Sequence, residues 1–279
     1  MEVKRVFSLL GLYARMDLAW FLRDTKHCLI CILGDLLSNI AAISGVFLLA
    51  LRFQNFGGMN DSEVLFMLSY LMAMSGIQEI FLRNCNVSYI SRRIGRGQLE
   101  HMLLLPLPLP LQLLTEGFIP FSGNGTLISG FILLRYSLLR LELQPHGWWW
   151  LSLTGSLVLS VVTVIGASYL FATSAFYAPV ACEEISSRVF GVADALKIFP
   201  LSGMPLGLQI TLCSVLPVGL LGWFPCLALL GKAPLGLPGW FPLAFAATLW
   251  LITLTLFKKG LRHYASIGIN RYSAIGHRR

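Results

Sequence analysis

The chain has 279 residues, of which 56% are hydrophobic and 12% charged, against roughly 25% charged residues in an ordinary soluble domain. That leaves too little polar surface to cover a water-soluble globule, and disorder is excluded because disordered chains are poor in apolar residues. The net charge of +8 comes from 21 Lys and Arg against 13 Asp and Glu; in a polytopic membrane protein such an excess marks the cytoplasmic side rather than a nucleic-acid partner.

An all-α membrane protein forming a single transmembrane domain over 1–279 is therefore expected, and its elements can be taken in order. In residues 1–26, Val6, Leu9, Leu10, Tyr13, Met16 and Trp20 fall on one helical stripe, with Lys4, Ser8, Arg15 and Lys26 opposite. This is the pattern of a helix lying in the headgroup plane, interrupted on its apolar side by Asp17. A bilayer core needs about 20 mostly apolar residues in a helix. Six segments approach this, at 28–51, 64–82, 113–134, 148–177, 205–230 and 240–257. The third contains Glu116, Pro120 and Gly123-Asn124-Gly125 and is the least regular. The fifth contains Pro217 and Pro225, which remove backbone donors and break it. Cys28-x-x-Cys31 opens an apolar run without a second Cys or His pair, and reads as small apolar filling rather than a metal site.

With a cytoplasmic N-terminus, seventeen of the 21 basic residues fall inside, leaving Arg52, Arg135, Arg140 and Lys232 outside. This count places Arg188 and Lys197 in a cytoplasmic loop between the fourth and fifth spans. The bias puts both termini in the cytoplasm. It also spreads the basic residues over four segments, which removes the nucleic-acid reading.

The segment 91–106 carries the most information. It is basic at Arg92, Arg93 and Arg96, then apolar, and stops at Pro106, Pro108 and Pro110. Arg92, Arg96 and Glu100 recur at i, i+4 and share one helical face. Such a loop either anchors topology or docks a cytoplasmic partner. Within the spans, Asp35 and Asn39 lie one turn apart on one face; a carboxylate in hydrocarbon is costly and marks either a pathway or a neighbouring helix that satisfies it. Glu79, with Arg83 one turn on, reads as a snorkelling interfacial pair. Trp148-Trp149-Trp150 reads as an aromatic belt. Broken backbone at membrane depth is tolerated only where protein or a water-filled cavity covers it, which makes Pro217 and Pro225 further pathway candidates.

Ile94-Gly95-Arg96-Gly97-Gln98-Leu99-Glu100, followed by Leu103-Leu104-Leu105-Pro106-Leu107, resembles the I-x-x-G-x-L-D/E-x-x-L-L-x-P-L signature of ABC-2 family permeases. Gln98 stands where an acidic residue is common in that family. Phe199-Pro200-Leu201, Val215-Leu216-Pro217-Val218 and Phe224-Pro225-Cys226 through Leu230-Gly231 are similar to a second pattern of a six-span branch, and Gly260-Leu261 through Ser266-Ile267-Gly268 to its ending. The resemblance implies a bacterial plasma-membrane exporter, with two permease chains, identical or homologous, above two ATPase chains. Arg92, Arg93, Arg96, Gly97, Leu99, Glu100, Leu103 and Pro106 would form the cytoplasmic coupling helix. The chain itself would bind no cofactor, ATP and Mg residing on the partner. In accord with this, its one Gly-Lys, Gly231-Lys232, is followed by Ala233 rather than the Ser or Thr of a phosphate loop.

Two other classes stay open on the residues alone. A polytopic enzyme acting on lipids would need a nucleophile with a base in reach or clustered carboxylates, and the five histidines all lie at span edges or in loops. A membrane scaffold without transport has no distinguishing motif. The few intramembrane charges suit lipidic or amphipathic cargo.

Overall fold

The structure is a computed structural model and describes residues 2–52, 56–83, 87–95, 98–106, 109–115, 117–122, 124–143 and 145–267. Helix α1 (Glu2–Arg23) is separated by Asp24 alone from α2 (Thr25–Arg52). Gly57 and Gly58, both at positive φ, turn the chain into α3 (Asp61–Leu82). Two short helices follow, α4 (Val87–Gly95) and α5 (Gln98–Leu104), then α6 (Leu109–Thr115) and α7 (Gly125–Arg140). Helix α8 (Gly147–Ala172) continues as a 3-10 turn, Thr173–Phe176, and leads to α9 (Pro179–Leu196). After α10 (Leu206–Ser214), a 3-10 turn at Pro217–Leu220 and α11 (Trp223–Leu229), the chain ends its described part in α12 (Phe241–Ile267). Among the described residues the only β interaction is one bridge between Phe56 and Met59.

By length and apolarity α2, α3, α8 with its 3-10 extension, and α12 can each cross a bilayer. Their burial differs sharply. The apolar window of α3 is 72% buried and that of α2 only 6%. A helix apolar on all faces belongs inside, and α3 is that central helix. The exposed Leu29, Ile30, Leu33, Leu37 and Ile40 of α2 form an outward apolar face.

What lets α7 lie against α3 is the absence of side chains at two positions. A Cβ on Gly76 would stand 2.4 Å from the Leu127 Cα, and one on Gly130 2.6 Å from the Ala73 backbone nitrogen. Two helices packed through small residues gain van der Waals contact where lipid supplies no hydrophobic drive. Ser69 and Ser137 hydroxyls meet across the same seam at 3.2 Å. The α8–α12 pair is built alike: Trp250 Nε1 donates to the Val162 carbonyl at 3.1 Å, and the Thr253 hydroxyl to the Gly166 carbonyl at 3.2 Å.

Two expected spans come out differently. Over 113–134 there is no continuous helix: α6 ends at Thr115, a turn follows, and α7 has 16 residues, about 24 Å at 1.5 Å per residue. That is short of a core of about 30 Å. Over 205–230 the chain is bent by 73° between α10 and the Pro217–Leu229 stretch. Leu216 is extended (φ −113°, ψ 98°), as a residue preceding proline prefers, and Pro217 has no N–H with which to continue α10. Pro225, by contrast, breaks nothing, because it lies in the first turn of α11, where N–H groups have no intrahelical partner.

The bent segment also begins and ends at one end of the bundle. At its start, a Cβ on Gly203 would lie 2.9 Å from the Gly57 Cα, and one on Gly57 2.8 Å from the Pro200 ring. Beyond its end, Lys232 Nζ contacts both Glu63 carboxylate oxygens at 2.7 Å, and Trp149 Nε1 donates to the Leu229 carbonyl at 3.1 Å. Gly57, Glu63 and Trp149 lie in the α2–α3 turn and at the starts of α3 and α8. Helix α9 starts at the opposite end, where Arg92 of α4 pairs with Glu183 at 3.2 Å and Cys182 Sγ contacts the Phe171 carbonyl at 3.6 Å. Its 18 residues, about 27 Å long, therefore carry the chain the length of the bundle. Residues 205–230 thus leave and return to the same end of the bundle, with the 73° bend between. Lys197 accordingly sits toward the Gly57 end and not in a loop beside Arg92.

The α3–α7 seam makes a direct test. Gly130→Leu forces the backbones apart at Ala73, at a cost of about 1–3 kcal/mol or more. Gly155→Leu, where a Cβ meets nothing within 4 Å, serves as control. Thermal unfolding in detergent should show a clear drop for the first and none for the second; equal behaviour would remove the seam as a stabilising contact.

Candidate functional site

Two polar centres emerge when the chemistry-bearing side chains are placed on this frame. The first lies at the Arg92 end. Ile90, Ser91, Arg93 and Ile94 of α4 are buried, Arg93 to 6% exposure, while Arg92 points outward to Glu183. Leu99 anchors α5 at 3% exposure, whereas Leu103, Leu104 and Leu105 are 48%, 82% and 52% exposed. Glu100 is half-buried and Pro106 exposed. Gln112 Nε2 of α6 donates to the Met102 carbonyl at 2.9 Å and ties the exposed leucines back to the bundle. Arg96 and Gly97 lie outside the described residues, as does Glu116.

Next to this segment is a cavity of about 410 Å³. Its walls are Gln78 and Arg92, the Val164–Phe171 side of α8, the Ser187–Lys197 side of α9 and the 216–221 turn. Two residues singled out separately in the sequence, Arg92 as a coupling residue and Pro217 as a pathway residue, thus line one space. The backbone of the 216–221 turn is covered by protein side chains. Tyr70 OH and Ser160 Oγ meet at 2.9 Å, and Ser160 donates to the Leu220 carbonyl at 3.4 Å. Pro225 lies apart, on a much smaller cavity near Ser156 and Phe224.

The second centre joins α2, α3 and α7. Asn39 Nδ2 donates to Thr126 Oγ1 at 3.2 Å, and Thr126 donates to Glu79 Oε2 at 3.3 Å. Glu79 thus faces α7 and is more than an interfacial partner of Arg83. Asp35, one turn before Asn39, is exposed and lies within electrostatic reach of Glu79. The structure therefore does not bring Asp35 and Asn39 together with Pro217: they are on the α2 side, away from the cavity.

Asp17, which looked like a flaw in an apolar stripe, is the anchor of α1. It is 7% exposed and accepts hydrogen bonds from the Phe121 N–H at 2.7 Å, the Ser122 N–H at 3.2 Å and the Ser122 hydroxyl at 2.5 Å. Those donors belong to the turn that interrupts the expected third span. The signal was present in the sequence: Val6, Leu10, Tyr13 and Asp17 continue one i, i+3/i+4 series, so Asp17 shares the inward face. What was missing is the partner, 104 residues away.

Helix α9 lies where the charge count predicts a cytoplasmic loop. It carries Glu183, Glu184, Arg188 and Asp194, too many charges for a lipid-facing helix. Glu184, Arg188, Gly191 and Ala195 form one exposed i, i+4, i+7, i+11 stripe. Only the contact of Pro200 and Gly203 with Gly57 shows that this polar helix runs the length of the bundle.

Replacing Asp17 by Ala removes a carboxylate acceptor from three donors; hydrogen bonds to charged groups are worth about 1.5–3 kcal/mol. Asp17→Ala should lower the unfolding temperature and make the 117–122 turn protease-sensitive. Asp24→Ala, whose Oδ1 accepts only a long 3.4 Å bond from the His27 N–H, should do neither.

Against known proteins, a family model described as ABC-2 family transporter protein matches residues 36–268, which covers all the helices from α3 to α12 and residues 36–52 of α2. No curated protein and no solved structure matches the chain. With most of its length matched, from Asp35's neighbour to the end of the last helix, the chain belongs to the ABC-2 transporter family of membrane proteins.

Proposed function

We propose that this chain is the permease subunit of an ATP-driven exporter, moving its substrate outward across a bacterial plasma membrane while a separate ATPase pair hydrolyses ATP with Mg. In this reading the chain crosses the membrane six times, through α2, α3, α6 with α7, α8, α9 and α12. Residues 205–230 dip in from the outer side, α1 lies along the inner surface, and both termini are cytoplasmic. The Gly57 end is then outside. The remaining basic residues at the Arg92 end keep the cytoplasmic bias even with Lys197 moved across.

The observation that carries the reading is the 91–106 segment. It has a rigid base in buried Ile94 and Leu99, and an exposed apolar tip, Leu103–Leu105, closed by Pro106. Three exposed leucines beside a basic helix at one end of the bundle suit a protein partner that excludes water from them. The same segment borders the cavity through Arg92. A push on the tip would reach the cavity through α4. A second permease chain, identical or homologous, is supported by the exposed Glu184–Arg188–Gly191–Ala195 stripe of α9, whose charges need protein or water rather than lipid.

The test is co-purification followed by uncoupling. The tagged chain should bring down an ATPase bearing a phosphate-binding loop. Leu103→Asp should leave the chain folded while reducing complex formation or permease-stimulated ATP hydrolysis at least ten-fold. A chain that associates with no ATPase, or a Leu103→Asp complex with unchanged stimulated hydrolysis, contradicts the proposal.

A further inference from the structure

The cavity between α8, α9 and the re-entrant turn has a charge pattern that the permease reading does not by itself specify. Its middle is apolar, formed by Val164, Phe171, Phe190, Leu216, Val218 and Leu221. Two cations and one carboxylate border it: Arg92, Lys197 and Asp194. The opposite charges are not equally placed. The Lys197 side chain is 19% exposed and turned into the structure, whereas the Asp194 side chain that it contacts at 2.8 Å is 68% exposed. Arg92 also borders the cavity, but its side chain is 44% exposed and pairs at 3.2 Å with the more buried Glu183, at 15%. Lys197 is therefore the cation set into the apolar wall, with its carboxylate partner turned outward.

The volume of about 410 Å³ falls toward the small end of ligand sites, which run from about 300 to 1,000 Å³. It admits one alkyl chain with a compact headgroup rather than a two-chain phospholipid. A cation in a partly water-excluded wall favours a negatively charged group, with charge-assisted hydrogen bonds stronger than neutral ones. We infer that this cavity is a cargo site within one subunit for a single-chain amphiphile with an anionic headgroup, the chain lying along Phe171, Phe190 and Val218 and the headgroup held by Lys197. The inference rests on the permease reading and adds to it the chemical class of the substrate. The position also fits transport, because one wall is the turn carrying Pro217 and another is the α4 helix that leads to the exposed leucines.

The test uses the full chain with its associated ATPase in phosphatidylcholine nanodiscs and a photo-crosslinkable dodecyl phosphate. Adducts mapped by mass spectrometry should concentrate on peptides containing Phe171, Phe190 and Val218. Labelling should fall at least five-fold with the matching trimethylammonium probe and with Lys197→Gln. ATP should reduce cavity labelling, as expected of cargo. Adducts spread evenly over the exposed face of α2, or indifferent to headgroup charge and to the Lys197 substitution, overturn the site. Cavity labelling that ATP does not change identifies a resident lipid and overturns the cargo role. Failure to associate with any ATPase instead contradicts the permease reading, independently of where the probe binds.

Discussion

The contact of Gly57 and Gly58 with Pro200–Gly203 decides how the second half of the chain is organised. At Gly57 a Cβ would stand 2.8 Å from the Pro200 ring, and at Gly203 one would stand 2.9 Å from the Gly57 Cα, so neither position has room for a side chain. Both turn glycines also have positive φ, +59° and +74°, where an L residue is strained. By fixing residue 203 at the end of the bundle where α3 begins, this contact makes α9 run the whole length of the molecule and makes 205–230 return to the end it left. The 410 Å³ cavity follows, since it is the space enclosed between α9, α8 and the tip of that excursion.

An excursion of this kind exposes backbone that hydrocarbon cannot satisfy, and much of the polar chemistry in this apolar chain covers it. Trp223 Nε1 donates to Ser202 Oγ at 2.8 Å, Gln209 Nε2 to the Met204 carbonyl at 2.7 Å, and Ser160 links Tyr70 to the Leu220 carbonyl. Gly219 and Gly222 fit against Cys213 and Leu71 with no space for a Cβ. The same economy appears at the other interruption, where Asp17 holds the 121–122 backbone. At both, a polar side chain from a distant part of the chain, Ser160 at one and Asp17 at the other, meets backbone at the break. That is what a low-dielectric surrounding demands of any unpaired backbone group.

The long apolar helices were legible because hydropathy over some 20 residues is a local property. Helices α2, α3, α8 and α12 need no partner to be recognised as membrane elements. The segment 91–106 was legible as a basic, then apolar, then proline-stopped stretch. Helix α9 was not, because Glu183, Glu184, Arg188 and Asp194 suppress its hydropathy, and their justification is tertiary: Arg92 across from Glu183, Lys197 against Asp194, and a cavity along one side. The same limit applies to Asp17 and to the Asn39–Thr126–Glu79 chain, whose partners come from other helices. Prolines misled in one case only: Pro217 does interrupt a helix, whereas Pro225 starts one.

In the proposed permease, coupling would be a matter of adjacency. Helix α4 touches α9 and the 3-10 turn after α8, and it joins the exposed leucines to the wall of the cavity. All of this depends on α9 being a polar crossing. The most direct check is the sidedness of residues 206, 146 and 181, each replaced by Cys in a cysteine-free background and probed with a membrane-impermeant maleimide in intact cells. Leu206 is 63% exposed, and His146 and Ala181 are exposed as well. The account predicts that Leu206→Cys and His146→Cys react from outside, and that Ala181→Cys reacts only after the membrane is opened. Leu206→Cys protected together with Ala181→Cys would contradict it, because the chain would then reach residue 206 without having crossed.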